Sequence, residues 1–236
     1  MGRYKSLCML AAAGLLFGIF GVSTASATLI GTFPTNPGDT VVPTLVLTGA
    51  APGTLLASLS VPFVDTLGTD SGTLVSAVYR EAGGTLDFYY QVSNNPTAPN
   101  CPTTQHPTCD PISRVTDTSF THSLTALGFR TDGGSFGGPF VPGSANPLFG
   151  DRSTSGDVVG FNFSPPVAAK LQPGQTSDVL VISTDARNFD SGNASVINGG
   201  TMTVASFEPT AVPEPGSMLL LSTGMLGMFG MRRFRR

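Results

Sequence analysis

The residues that could do chemistry are few. Ser135, in "GGSFG" at 133–137, formally fits G-x-S-x-G. A nucleophile in that frame needs a strand before it, a helix after it and a histidine downstream. Here Gly138-Pro139 follows at once and both histidines, His106 and His122, precede the serine, so the stretch reads as a glycine-rich turn. Cys101, His106 and Cys109 in "CPTTQHPTC" offer three zinc ligands, yet structural zinc wants four, with tighter cysteine spacing. In an exported chain the first expectation for two cysteines with seven residues between them is a disulfide, with zinc or free thiols as the alternatives.

Acid–base chemistry on sugars requires two carboxylates across one cleft. Asp87, Asp117, Asp157 and Asp178 lie in or beside candidate strands, but no spacing pairs them, and no catalytic residue is assigned. Asp70-Ser71-Gly72 and Asp190-Ser191-Gly192-Asn193 could offer oxygens to calcium; neither follows the D-x-[DN]-x-[DN]-G pattern, and ordinary turn chemistry explains both. No resident cofactor is therefore expected, calcium being the one ion these oxygens would suit. Sugar binding by stacking needs exposed flat rings, and the region after residue 27 has no Trp and only Tyr79, Tyr89 and Tyr90. Tyr89 is the one candidate platform, against a cross-strand packing role on the sheet surface. His122, alternating with Phe120 and Leu124, reads as packed or at a sheet edge.

The elements that must position these groups are strands. In "LLASLSVPF", Leu55, Ala57, Leu59, Val61 and Phe63 share one face; in "TLDFYYQVS", Leu86, Phe88, Tyr90 and Val92 share one and Asp87, Tyr89 and Gln91 the other. Further candidates are 74–80, 119–127, 158–163, 177–184 and 201–207, with Gly, Pro, Asn and Asp clusters between them. "AAKLQ" at 168–172 is too short for a helix, and no fixed-period repeat is present. The pattern predicts one all-β domain over residues 28–209: an antiparallel β-sandwich of jelly-roll or immunoglobulin-like type, with roughly seven to ten strands. The proline-rich stretch 94–111 reads as its longest loop, pinned by Cys101 and Cys109.

Both ends read as address labels. Residues 1–27 place Arg3 and Lys5 before an apolar run and close on Ala25-Ser26-Ala27, the small-residue pattern of a signal-peptidase site with Ala25 and Ala27 at its key positions. Residues 210–236 hold Pro213-Glu214-Pro215, an apolar run over 217–231, and Arg232, Arg233, Arg235 and Arg236. As a helix that run would be roughly 22 Å long at 1.5 Å per residue, just enough to span if the arginine stems snorkel, and the arginines would hold the end in the cytoplasm. Between these labels, residues 28–209 carry six basic and fourteen acidic side chains, a net charge of −8 hidden by the whole-chain value of −3. Such a surface repels phosphate backbones and anionic lipid heads, so no nucleic-acid or peripheral-membrane partner is expected for it.

The order Val-Pro-Glu-Pro, brief apolar helix and terminal basic cluster resembles the PEP-CTERM sorting signal. The resemblance implies a Gram-negative bacterium whose exosortase, a membrane-embedded cysteine transpeptidase, recognises Pro213, Glu214 and Pro215. The enzyme would then remove the helix and pass the body to the cell surface or exopolysaccharide matrix. The implied processing partners are signal peptidase and exosortase, with exopolysaccharide as a further partner and the inner membrane as a transient one. The body is also similar to uncharacterised PEP-CTERM proteins in "SAVYREAGGTLDFYYQVSNN", "GFRTDGG", "VVGFNFSPP" and "GNASVINGGTMTVASFEP", a likeness that brings no known activity. The expectation is a non-enzymatic, structural or adhesive surface protein. A carbohydrate-binding module and a secreted hydrolase with an unrecognised carboxylate pair are the alternatives.

Overall fold

The structure, a computed structural model, describes residues 34–45, 53–133 and 138–210. The two address labels, with Ala25, Ala27, Pro213, Glu214, Pro215 and the four terminal arginines, lie outside this range, as does Ser135. No helix among the described residues is long and apolar enough to cross a membrane.

Twelve strands form: β1 (Thr40–Val41), β2 (Thr44–Leu45), β3 (Thr54–Val64), β4 (Ser71–Arg80), β5 (Leu86–Asn94), β6 (Arg114–Asp117), β7 (Thr125–Arg130), β8 (Phe149–Arg152), β9 (Val159–Asn162), β10 (Val179–Thr184), β11 (Asn188–Ile197) and β12 (Thr201–Thr210). One 3₁₀ turn, Val167–Ala169, is the only helical element among the described residues. The strands make two six-stranded sheets, one ordered β1-β8-β9-β6-β11-β12 and the other β2-β7-β10-β5-β4-β3. All pairings are antiparallel except β2 with β7. The expected sandwich is therefore present, with more strands than the alternation reveals.

Between the sheets, period-two patterning does what elementary geometry requires. Val115, Val159, Phe161, Ala194, Val196, Met202 and Val204 of the first sheet meet Phe63, Leu74, Phe88, Tyr90, Val92, Leu180 and Ile182 of the second. Asp117 shares the inward face of Val115, and Ser206 that of Val204. The core thus contains a polar spot, in which the Ser206 hydroxyl donates to Asp117 Oδ2 at 2.8 Å. The Tyr90 hydroxyl donates nearby to the Phe207 carbonyl at 3.1 Å.

The second sheet is buried on its outer face as well. Ala77, Tyr79, Tyr89, Val179 and Val181 form a second apolar cluster beneath Phe140, which belongs to the connection from β7 to β8. Gln91 ties that connection down, accepting from the Val141 N–H at 3.0 Å and donating to the Val141 and Ser177 carbonyls at 2.7 and 2.9 Å. The connection begins with the bidentate pair Arg130–Asp132, with contacts of 2.9 and 2.8 Å. Gly133 is required where it stands, because a Cβ there would come within 2.0 Å of the Val141 carbonyl oxygen.

Arg152 fastens the segment before β1. Its guanidinium, 5% exposed, donates to the carbonyls of Gly156, Thr35, Phe120 and Ser123 at 2.9, 3.2, 2.6 and 2.8 Å.

Several expectations change. A register shift between Leu55 and Ala57 takes Leu55 out of the shared face, so it is exposed while Leu56 packs on the core. Residues 119–124 are not strand: His122 sits exposed in a turn and Leu124 is exposed, though Phe120 is fully buried. Asp190-Ser191-Gly192-Asn193 is mid-strand in β11, pairing with 205–208 of β12.

Candidate functional site

The two sequence-remote ends of the sandwich differ. At one end lie the β3–β4 turn, the 94–111 loop and the β11–β12 turn. At the other lie the β4–β5 turn and Thr210, the last residue of β12, separated from Pro213 of the sorting motif by two residues. β12 runs ten residues from the first end to the second, roughly 30 Å at 3.3 Å per residue.

The site is built at the first end. Cys101 and Cys109 are joined, with Cα atoms 5.1 Å apart and both residues 3% exposed, so the disulfide alternative holds and neither sulfur is a thiolate for zinc. The loop between them turns tightly, the Thr103 N–H reaching the His106 carbonyl at 2.7 Å, and His106 is exposed. The clamp is tied to the β3–β4 turn by the Asn100 N–H donating to the Gly68 carbonyl at 2.7 Å and the Asp110 N–H to the Thr69 carbonyl at 3.0 Å. A groove of about 510 Å³ results, lined by Leu67, Thr69, Asn100, Thr103, Thr104, Gln105, His106 and Asp110.

Beside it is a smaller recess of about 160 Å³, whose wall includes Asp65, Asp110, Asn198, Gly199 and Met202. Asp65 organises the β3–β4 turn: Oδ1 accepts the N–H groups of Thr69 and Asp70 at 2.7 and 3.0 Å, and Oδ2 that of Leu67 at 3.2 Å. The Thr69 hydroxyl donates to Asp110 Oδ2 at 2.7 Å. Asp70 is fully buried; its Oδ2 accepts from Asn198 Nδ2 at 2.9 Å, while its Oδ1 has no partner. Burial first, then the charges of Asp65 and Asp110, push the Asp70 carboxyl up to about 7, against the hydrogen bonds from Ser71 and Asn198.

The four carboxylates singled out from the sequence do not share a cleft. Asp117 is between the sheets, and burial pushes it up to about 8 although Ser206, Tyr90 and the Thr118 N–H hydrogen-bond to it. Asp87 is buried on the outer face of the second sheet, where burial and then the Glu81 carboxylate hold it well above the usual carboxylate range. Asp157 accepts from the Ser119 N–H and the Thr121 hydroxyl at 3.2 and 3.0 Å, and Asp178 precedes β10 beside Gly143. Tyr89 is no exposed platform: it is 0% exposed, with its ring 4.8 Å from Tyr79 and 6.1 Å from Phe140. Sequence reasoning missed Asp65, Asp110 and Asn198; the cues were an acidic residue three before Gly68 and another directly after Cys109.

The fold and the tail together define an all-β sandwich followed in sequence by a sorting signal. Residues 211–236 match the PEP-CTERM protein-sorting motif, so the chain carries that motif and is an exported protein sorted by exosortase through a membrane-anchored stage. Pro213, Glu214, Pro215 and the terminal arginines fall inside the matched span. No curated protein and no solved structure matches the chain.

Proposed function

We propose that the body, once exosortase has handled the tail, is a non-enzymatic structural or adhesive component of the cell surface or exopolysaccharide matrix of a Gram-negative bacterium. The observation that carries this reading is polarity: the sorting motif follows β12 directly, while the disulfide-clamped groove lies at the strand's other end. A body held by its tail presents that groove away from the membrane. The test is to label surface-exposed protein on intact cells, then compare matrix retention in strains with and without the gene. Label confined to the periplasm, or a matrix unchanged in composition and cohesion, would remove the proposal.

A second reading, carbohydrate binding, is favoured by the groove's lining of hydroxyl, amide and carboxylate groups, which suits sugar hydroxyls through hydrogen bonds rather than ring stacking. Depletion on exopolysaccharide beads, lost in the double variant Thr104→Ala, Gln105→Ala, would move it to the front. Tyr89→Ala cannot serve as that test, because the ring is buried.

A further inference from the structure

We propose that Asn198 is a self-modifying residue: its side chain closes onto the Gly199 nitrogen, ammonia leaves with Asp70 as proton donor, and water opens the succinimide to aspartate or isoaspartate. The inference is independent of the surface role above.

The sequence contains one Asn-Gly pair, Asn198-Gly199, and the structure places it in the turn joining β11 to β12. Ring closure needs a free backbone nitrogen, a side-chain carbonyl in its reach, a donor for the oxygen that turns negative and a proton for the departing nitrogen. Gly199 is exposed, and its N–H donates to no acceptor among the described residues. Nothing lies within 4 Å of where a Cβ would stand on it, so its backbone has room to approach the Asn198 Cγ. Asn198 Oδ1 accepts from the Gly200 N–H at 3.2 Å, an Asx-turn bond that folds the side chain back over the intervening peptide group. The same N–H is the donor for the developing oxyanion. Asn198 Nδ2 donates to Asp70 Oδ2 at 2.9 Å, so the nitrogen that must leave is already seated on a carboxyl.

Asp70 is suited to give up a proton there. Burial first, then the charges of Asp65 in the β3–β4 turn and Asp110 beside the disulfide, raise it to about 7, while the Ser71 N–H and Asn198 pull the other way. At lower pH it is a neutral acid. In the step itself the Gly199 nitrogen loses its proton to solvent and bonds to Cγ. The Cγ–Nδ2 bond then breaks as Nδ2 takes the Asp70 proton and departs as ammonia. Asp70 recovers a proton from solvent, and one water is consumed when the ring opens. The product carries a carboxylate where Asp70 had its amide donor, and two like charges replace the tie between the β11–β12 and β3–β4 turns. The change is irreversible, so it marks the age of the groove-bearing end of the sandwich.

The test follows conversion at residue 198 by peptide mapping with an isoaspartate readout. The full chain in detergent is incubated folded, and separately unfolded in urea, across about pH 6 to 9. Below about pH 7 the folded chain should convert at least about tenfold faster than the unfolded one. Its rate should level off above about 7, as Asp70 loses its proton, while the unfolded rate keeps climbing with hydroxide. Asp70→Asn should slow folded conversion by roughly 10²-fold, whereas a carboxyl that only tethered Asn198 would, on removal, free the side chain and speed it. The two pH profiles decide the matter if Asp70→Asn fails to fold. Folded conversion no faster than in urea, a folded rate that climbs through pH 7 without a break, or undiminished conversion in Asp70→Asn overturns the proposal.

Discussion

Asp117 is the residue whose chemistry differs most from its type. It is a carboxyl placed by strand alternation on the inward face of β6, and burial outweighs its three hydrogen bonds. With its value raised from 3.8 to about 8, the native state keeps a proton that the unfolded chain releases above pH 4. Stability therefore falls as pH rises from about 4 to 8, and Asp70 adds a slope of the same sign up to about 7. Urea unfolding should show a loss of roughly 2–4 kcal/mol between about pH 5 and 8. Asp117→Asn should reduce that slope, leaving the part that Asp70 and Asp87 contribute, and be the more stable protein at pH 8. A variant equally pH-dependent, or weaker at pH 8, contradicts this assignment. Arg152→Met makes the opposite case: three buried carbonyls and the part-buried one of Ser123 lose their donor, and the urea midpoint should fall by the equivalent of about 3 kcal/mol. At this scale the sequence showed the types but not their surroundings. Asp117 and Asp87 look equivalent along the chain, while one enters the core and the other faces Glu81 on an outer surface. Tyr89 alternates as a surface residue should, and only the distant Phe140 reveals that its face is covered.

At the scale of elements, the long strands β3, β4, β5, β10 and β12 were legible because their patterns run over many residues, in β3 beyond the irregularity between Leu55 and Ala57. β11 was hidden by its own middle, "DSGN", which has turn composition. It is strand because Gly192 faces Glu208, whose Cβ would lie 2.7 Å from any added Cβ, and because ten residues of β12 pair with it. β1, β2, β6 and β8 have two to four residues each, too few to show a period. The third layer over the second sheet was invisible because glycine and proline announce a loop without saying what it covers. The clamp at 101–109 was legible, and its removal is measurable. Cys101→Ser with Cys109→Ser should lower stability by about 2–3 kcal/mol in chemical denaturation and widen the groove. No change in the unfolding midpoint would mean that the loop is not held by the bond. Of the four edge strands among the described residues, β3 and β12 each contain a proline, Pro62 and Pro209, which has no N–H to offer a further strand. Pro62→Thr with Pro209→Thr should increase edge-to-edge association, seen as larger species in light scattering; an unchanged monomer fraction would show that the edges are protected otherwise.

For the whole molecule, the fold and the sorting signal explain each other's arrangement. Only Ala211 and Val212 separate the last strand from Pro213, a reach of roughly 10 Å at full extension, so the motif begins within that reach of the sandwich. Replacing Pro213-Glu214-Pro215 by alanines should leave the full-length protein in the inner membrane, as fractionation and blotting would report. The central claim, export followed by exosortase sorting of a disulfide-clamped sandwich, is tested most directly by intact mass. The protein would be taken from membrane, outer-surface and medium fractions, with and without reductant. The account predicts an outer-surface or medium species that starts at Thr28, lacks the residues after the motif, and gains a pair of hydrogens on reduction. A species confined to the inner membrane and still ending in Arg236 would contradict it, making the tail a permanent anchor and the body a resident of the periplasmic face.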